Sequence, residues 1–367
     1  MSKNIRPSTN HPRNRSMRAT ALLRHAIPAI LLLGGLISTS VFAFEQPKIY
    51  DLKPNDRVII LGDSTTPTEL VLGGYVFLVN QVQKEQAPEK KAVVYGFGWP
   101  QHGAGSLLGD NGQINLYVRT KTKTEPPTVA IINMGLNDSK GGNAAIPAYV
   151  ETLRKAVQEL RDLKVTPILC AITTWGGLDQ TKAYAEAARV LASELKCPLI
   201  DLYAAHAEQI SISANGKGGA PTYDGVHLSL IGETLSAKTI LQAFGLKPVW
   251  REKYLRLTTM RESWSTGEWG NFTVVESNRS DNLPAESKGN HPWGGVTTGY
   301  PAGTKVTVTM TPRVGFEIIQ WIDMDYRGSP ASSQPDLGKS ATIALTLDQN
   351  RFLLCMVRPK KDQVSKP

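Results

Sequence analysis

Between residues 55 and 245 the apolar positions follow two alternating patterns. Short runs at Arg57–Leu61, Ala92–Phe97, Thr128–Met134, Val165–Ile172 and Pro198–Leu202 are bounded by Gly, Pro, Asn or Asp, and several are apolar on both faces. A strand covered by helices on both sides needs no polar face, so these runs predict a parallel sheet. Stretches of helical period lie between them. Ile146, Tyr149, Val150, Leu153, Val157 and Leu160 recur at i, i+3, i+4 and i+7, with Glu151, Arg154, Lys155 and Glu159 among the intervening positions. Asp179–Leu195 and Ser229–Phe244 read the same way. Five strands alternating with helices predict an α/β, doubly wound parallel sheet, which binds ligands at the carboxyl ends of its strands.

This pattern dissolves near residue 246. Residues 246–268 are charged and contain Trp, and read as a linker. From 269 to 367 Thr, Val, Gly and Pro dominate with a period of two, most clearly at Lys305–Thr311, which predicts a small β-rich domain. The expected organisation is a targeting segment at 1–43, the α/β domain at 44–245, a linker at 246–268 and the β-rich domain at 269–367.

Charge first points elsewhere. The 367 residues carry a formal net charge of +9, the balance of a basic, nucleic-acid-binding protein. Residues 1–43 change the picture. They hold Lys3, Arg6, Arg13, Arg15, Arg18 and Arg24 and no acid, then an apolar run at Ile27–Leu36, then Val41 and Ala43. Basic, apolar and small residues in that order form a secretory signal peptide, and a start at Met17 gives it a more usual length. Without it 35 basic face 32 acidic residues, a net charge of +3, so no nucleic-acid partner is expected. The alternative is an uncleaved membrane anchor, but a spanning helix needs about 20 apolar residues. This run is shorter and broken by Pro28, Gly34 and Gly35. The expectation is therefore an exported protein, periplasmic, extracellular or at the cell surface, with no stable membrane span after cleavage. Its three cysteines are too few for a disulfide framework or a metal site, and Cys170 and Cys355 sit in apolar runs as buried thiols.

Candidate chemistry follows the strand ends. After the first comes Gly62-Asp63-Ser64, then Thr66-Pro67-Thr68-Glu69, a capping box that predicts a helix start just behind the serine. The helix terminus would supply positive partial charge for a developing oxyanion. After the second comes a glycine-rich stretch containing Gly96, Gly98, Trp99, His102, Gly103, Gly105 and Ser106. After the third comes Gly135-Leu136-Asn137-Asp138, where Asn137 offers an amide donor or an Asx-turn. Asp224-Gly225-Val226-His227 opens the last helix, with a carboxylate placed to accept the Nδ1 proton of an imidazole. Each motif alone is weak. Together they converge on one sheet edge and supply a nucleophile, a base with its orienter, and oxyanion donors, the parts of an acyl-transfer site.

Over residues 55–245 these motifs resemble the SGNH/GDSL hydrolase family: Ser64 in Gly-Asp-Ser, Asn137 in Gly-Leu-Asn-Asp, and Asp224-Gly-Val-His227. The resemblance implies a flavodoxin-like five-stranded sheet and an oxyanion hole formed by the Ser64 N–H, a glycine N–H and the Asn137 side chain. The glycine departs from the family pattern, because Tyr95 stands where the family places Asn and the following loop is expanded. Gly105 is the choice and Gly98 the alternative. Residues Gly299–Val308, Pro312–Phe316 and Gln320-Trp321 are similar to the divergent internalin B-repeat, a β-grasp-like module of bacterial surface proteins. That likeness implies an extracellular setting, with the tail binding a surface component.

The expected function is serine esterase chemistry with Ser64, Asp224 and His227 as triad and no metal or organic cofactor. The substrate is an acyl ester, acetyl by preference, with an acetylated polysaccharide as candidate. Trp99 and Trp175 either stack on sugar rings or wall the pocket, and His102 either faces substrate or is a solvated loop residue. The alternatives are a non-catalytic surface-binding protein on the same fold, or a lysophospholipase or thioesterase of the family.

Overall fold

Successive residues of a strand face opposite sides of its sheet, and in this protein both sides are covered. The computed structural model describes residues 44–120, 125–173, 178–214, 219–261, 269–276, 279–283, 296–324 and 337–360. The signal peptide expected at 1–43 and Trp175 lie outside the described residues. The central sheet is formed by β1 (Arg57–Asp63), β2 (Val93–Trp99), β3 (Val129–Asn133), β4 (Thr166–Ala171) and β5 (Leu199–Asp201). All pairings are parallel, in the order β2-β1-β3-β4-β5, the flavodoxin-like arrangement expected from the sequence.

Among the described residues, five α-helices flank this sheet: α1 (Tyr75–Gln86), α2 (Ile146–Asp162), α3 (Leu178–Glu194), α4 (Leu202–Ala214) and α5 (Leu230–Ala243). Val58 and Ile60 of β1 pack with Val76 and Val79 of α1 and Ile240 and Leu241 of α5. Ile59 and Leu61 face the other way, toward Leu153, Val157 and Leu160 of α2 and Tyr184 and Leu191 of α3. β3 is buried along its whole length, which is why its sequence shows an unbroken apolar run. Among the described residues, no helix is long and apolar enough to cross a membrane.

The predicted helix start at Thr66 is not formed. Residues 64–74 run as turns and extended chain, and α1 begins at Tyr75. The Thr66 hydroxyl is turned inward to Tyr75 Oη at 3.1 Å and Asn133 Nδ2 at 3.4 Å instead of capping a helix. The segment is also laid flat across β2. A Cβ at position 96 would collide with the Pro67 carbonyl oxygen, and one at 98 with the carbonyls of Asp63 and Thr66. Two glycines of the sequence's Gly-Phe-Gly therefore serve close backbone approach.

The linker expected at 246–268 also requires correction. Among the described residues, eight further strands follow the α/β domain: β6 (Glu252–Arg261), β7 (Gly270–Glu276), β8 (Arg279–Leu283), β9 (Val296–Pro301), β10 (Thr304–Pro312), β11 (Phe316–Asp323), β12 (Thr342–Leu347) and β13 (Arg351–Pro359). They form two four-stranded sheets, β12-β10-β7-β8 and β11-β13-β6-β9, with β6 parallel to β13. Their shared core includes Phe272, Val274, Val308 and Met310 against Leu257, Trp321, Cys355 and Val357. The two sheets pack face to face as a sandwich. The outer face of the second sheet is buried too: Met260, Ile322, Phe352, Leu354 and Met356 pack on Tyr223 and Leu230 of the α/β domain. A strand covered on both faces loses its period of two. In β6, seven consecutive residues from Tyr254 to Met260 are buried, so it read as a linker. The described residues from Phe44 onward belong to one compact unit.

Gly96→Ala is expected to destabilise the protein by about 1–3 kcal/mol, the usual cost of forcing an extra group into packed structure. Chemical denaturation monitored by fluorescence checks this, and an unchanged midpoint contradicts the close approach of Pro67.

Candidate active site

Ser64 is the first residue beyond β1, where the chain leaves the sheet edge. His227 reaches it from the loop before α5, with Nε2 3.2 Å from Ser64 Oγ. Its Nδ1 lies 2.7 Å from Asp224 Oδ2. Asp224 Oδ1 accepts from the backbone N–H groups of Val226 at 2.9 Å and His227 at 2.7 Å. Burial opposes ionisation of Asp224, but hydrogen bonds and charge from His227 outweigh it and hold the carboxyl below its ordinary value. An ionised carboxylate only accepts, so Nδ1 carries the proton and Nε2 presents its lone pair to the Ser64 hydroxyl. The loop itself is pinned: Tyr223 N–H donates to the His227 carbonyl at 3.0 Å, and Ser229 N–H to that of Pro221 at 3.0 Å. Ser229 then caps α5 through the Gly232 N–H.

Ser64 and His227 border a cavity of about 410 Å³, lined also by Thr66, Pro67, Val71, Gly98, Tyr223, Leu228 and Glu233, among others. Gly98 lies in this lining, whereas Gly105 does not. Gly105 is the exposed residue of a 3₁₀ turn over Ala104–Leu107, with open space about it. Of the two candidate glycines, Gly98 thus borders the cavity beside Ser64.

Asn137 holds the glycine loop. Its Nδ2 donates to the His102 carbonyl at 3.0 Å, and its Oδ1 accepts from Lys140 at 2.9 Å. Asp138 accepts from the Ala104 N–H at 2.9 Å on the same loop. Neither His102 nor Trp99 lies in the cavity lining. His102 is exposed, with Nδ1 2.8 Å from the Pro100 carbonyl oxygen. The Trp99 indole donates to Tyr117 Oη at 2.9 Å and packs edge-on to His102. His206, by contrast, is buried in α4 against Ser236 and pushed down to about 4 by burial, so it is neutral and remote from base duty.

Three contributors went unread in the sequence. Asp63 is fully buried beside the nucleophile, accepting from the Thr65 N–H at 2.9 Å and its hydroxyl at 2.8 Å. Tyr223 stacks on the His227 ring with centroids 6.0 Å apart and planes inclined by 20°. Glu233, on the first turn of α5, accepts from the Tyr75 N–H at 2.9 Å. Gly-Asp-Ser contains Asp63, and the aromatic before Asp224 is visible in the sequence. Glu233, however, reads as an ordinary first-turn acid.

A serine paired with a carboxylate-oriented imidazole, at the carboxyl edge of a doubly wound sheet, defines a serine hydrolase site. Residues 60–235 match the model of the GDSL-like Lipase/Acylhydrolase family. This stretch is accordingly an SGNH/GDSL-type serine hydrolase domain. Among solved structures, Axe2, an acetylxylan esterase from Geobacillus stearothermophilus, is 19% identical, covering 55% of this chain and 99% of its own, with a TM-score of 0.44. LAE5, an alpha/beta hydrolase from the metagenome of Lake Arreo, Spain, is 19% identical over 53% of this chain and 96% of its own, with a TM-score of 0.43. No curated protein matches the chain.

Burial raises the Asp63 carboxyl to about 6, against the hydrogen bonds from Thr65 that favour its anion. A folded-state value above the unfolded one means the native state holds this proton longer, so stability is lost as pH rises between about 4 and 6. Asp63→Asn cannot ionise. Relative to wild type its unfolding free energy should gain about 2 kcal/mol between pH 4 and pH 7. Urea titrations at both pH values measure this, and a difference independent of pH contradicts it.

Proposed function

We propose that this protein is an exported esterase that removes a short acyl group, acetyl by preference, from a polysaccharide. The Ser64–His227–Asp224 relay opening onto one cavity carries the reading. The Ser64 Oγ attacks the ester carbonyl as His227 Nε2 takes its proton. Asp224 holds the imidazole in the right tautomer and stabilises the imidazolium. The tetrahedral oxyanion collapses, and His227 returns the proton to the leaving alcohol. Water, deprotonated by the same nitrogen, then attacks the acyl-enzyme and releases the acid and Ser64.

Oxyanion donors are the Ser64 N–H, the N–H of Gly98 and the second Nδ2 proton of Asn137, the first being committed to His102. The cavity's mixed lining supports a short acyl group. Thr65, Thr66, Thr68 and Glu233 bring polar atoms among Pro67, Val71 and Leu228, a poor surface for a long alkyl chain. The basic-then-apolar layout of residues 1–43 supports export, and a secreted deacetylase meets polysaccharide outside the cell.

Wild type should hydrolyse p-nitrophenyl acetate far faster than the octanoate ester, with Ser64→Ala slower by about 10⁴-fold or more. It should also release acetate from a panel of acetylated polysaccharides. Equal rates for wild type and Ser64→Ala favour a binding protein on this fold, and preference for octanoate a lipase. Asn137→Ala should lower kcat by about 10²–10³-fold with KM little changed, the signature of a lost oxyanion donor. A change confined to KM removes Asn137 from that role.

A further inference from the structure

Two contacts carry the sandwich to the hydrolase site. Arg256 of β6 is only 1% exposed. Its Nε donates to Thr297 Oγ1 of β9 at 3.2 Å, and its guanidinium lies 5.5 Å from the Phe352 ring centroid. Its Nη2 crosses to the other domain and donates to the Leu72 carbonyl at 3.2 Å. Leu72 belongs to the 64–74 segment, whose Thr66, Pro67, Thr68 and Val71 line the cavity. Glu233 also lines the cavity, feels the Arg256 charge and accepts from the Tyr75 N–H just beyond that segment. The second contact is aromatic. Phe352 of β13 meets Tyr223 edge-on at 5.6 Å and 86°, and Tyr223 stacks on His227.

A buried guanidinium is costly unless its charge and donors are matched. If Arg256 only fastened two domains, apolar packing of the same volume would serve as well. Instead its charge and one donor are spent on Glu233 and on the segment behind the nucleophile. We infer that Arg256 is a positioning residue of the hydrolase, fixing the cavity wall through Leu72 and Glu233, so that the C-terminal sandwich is a working part of the active site. This rests on the serine-hydrolase reading of Ser64.

The test uses the full chain as wild type, Ser64→Ala, Arg256→Met, Arg256→Lys and Thr297→Val, the last keeping the charge and shape while removing the Nε acceptor. Each is assayed for its labelling rate with a fluorophosphonate, for kcat and KM on p-nitrophenyl acetate across pH, and for Tm. At a temperature where circular dichroism shows it folded, Arg256→Met should lose about 10-fold or more in labelling rate and kcat/KM. The charged and titratable groups about Glu233 of α5 are Arg256 from β6 and Tyr75 from α1, with Asp63 and His227 also lining the cavity. Without the Arg256 charge Glu233 takes up its proton at higher pH, so the acid limb of the rate profile should move upward. Arg256→Lys should restore the limb and part of the rate, and Thr297→Val should lose about 2–5-fold. If Arg256→Met does not fold, Arg256→Lys and Thr297→Val decide. Wild-type rates and an unmoved acid limb in the folded variants, with or without a lower Tm, overturn the proposal. Labelling that Ser64→Ala does not abolish overturns the serine reading itself and the positioning role with it.

Discussion

The site depends on how closely the chain beyond β1 can approach β2. Pro67 and Thr66 carbonyls lie where side chains at 96 and 98 would stand, so glycine at both positions lets the segment lie flat on the sheet edge. With the segment down, the Thr66 hydroxyl meets Tyr75 and Asn133, and Ser64 is held at the strand end facing His227. A helix starting at Thr66 would carry this backbone away from the sheet and spend the Thr66 oxygen on a cap. Local capping preference lost here to tertiary packing.

Around that turn four carboxylates accept hydrogen bonds from nearby N–H and O–H groups. Asp63 takes both donors of Thr65, Asp138 takes Ala104, Asp224 takes Val226 and His227, and Glu233 takes Tyr75. The outcomes differ because the balance differs. Burial wins at Asp63 and Glu233 and raises their carboxyls to about 6 and about 7. At Asp224 the imidazole and two backbone donors win, and the carboxyl is lowered. The same residue type is thus an anion facing the base and a partly protonated tether elsewhere.

The sandwich is built into this arrangement. Its β6 and β13 strands are covered on one side by their own core and on the other by Tyr223 and Leu230. Tyr223 in turn backs His227, so the imidazole rests on a residue whose other contact belongs to the sandwich. A pendant module joined by a linker would leave that face in water. Here Arg256, Phe352 and the loop before α5 share one interior.

Much of this was legible in the chain itself. Unbroken apolar runs gave away strands covered on both faces, and four short motifs at their ends marked Ser64, Asn137, Asp224 and His227. Those features are set by local sequence, because strand period and turn chemistry need no knowledge of distant residues. What lay hidden involves partners far apart in the chain. β6 reads as a linker because burial on both faces erases its alternation, and Gly98 comes to border the cavity through the Thr66 and Asp63 carbonyls that pack over it. Glu233 meets Tyr75, 158 residues away, and Arg256 meets Leu72, 184 residues away. The sequence by itself determined the sheet and the chemistry of its edge. Only the tertiary structure decided which glycine borders the nucleophile and that the second domain backs the base, since both follow from how distant surfaces pack.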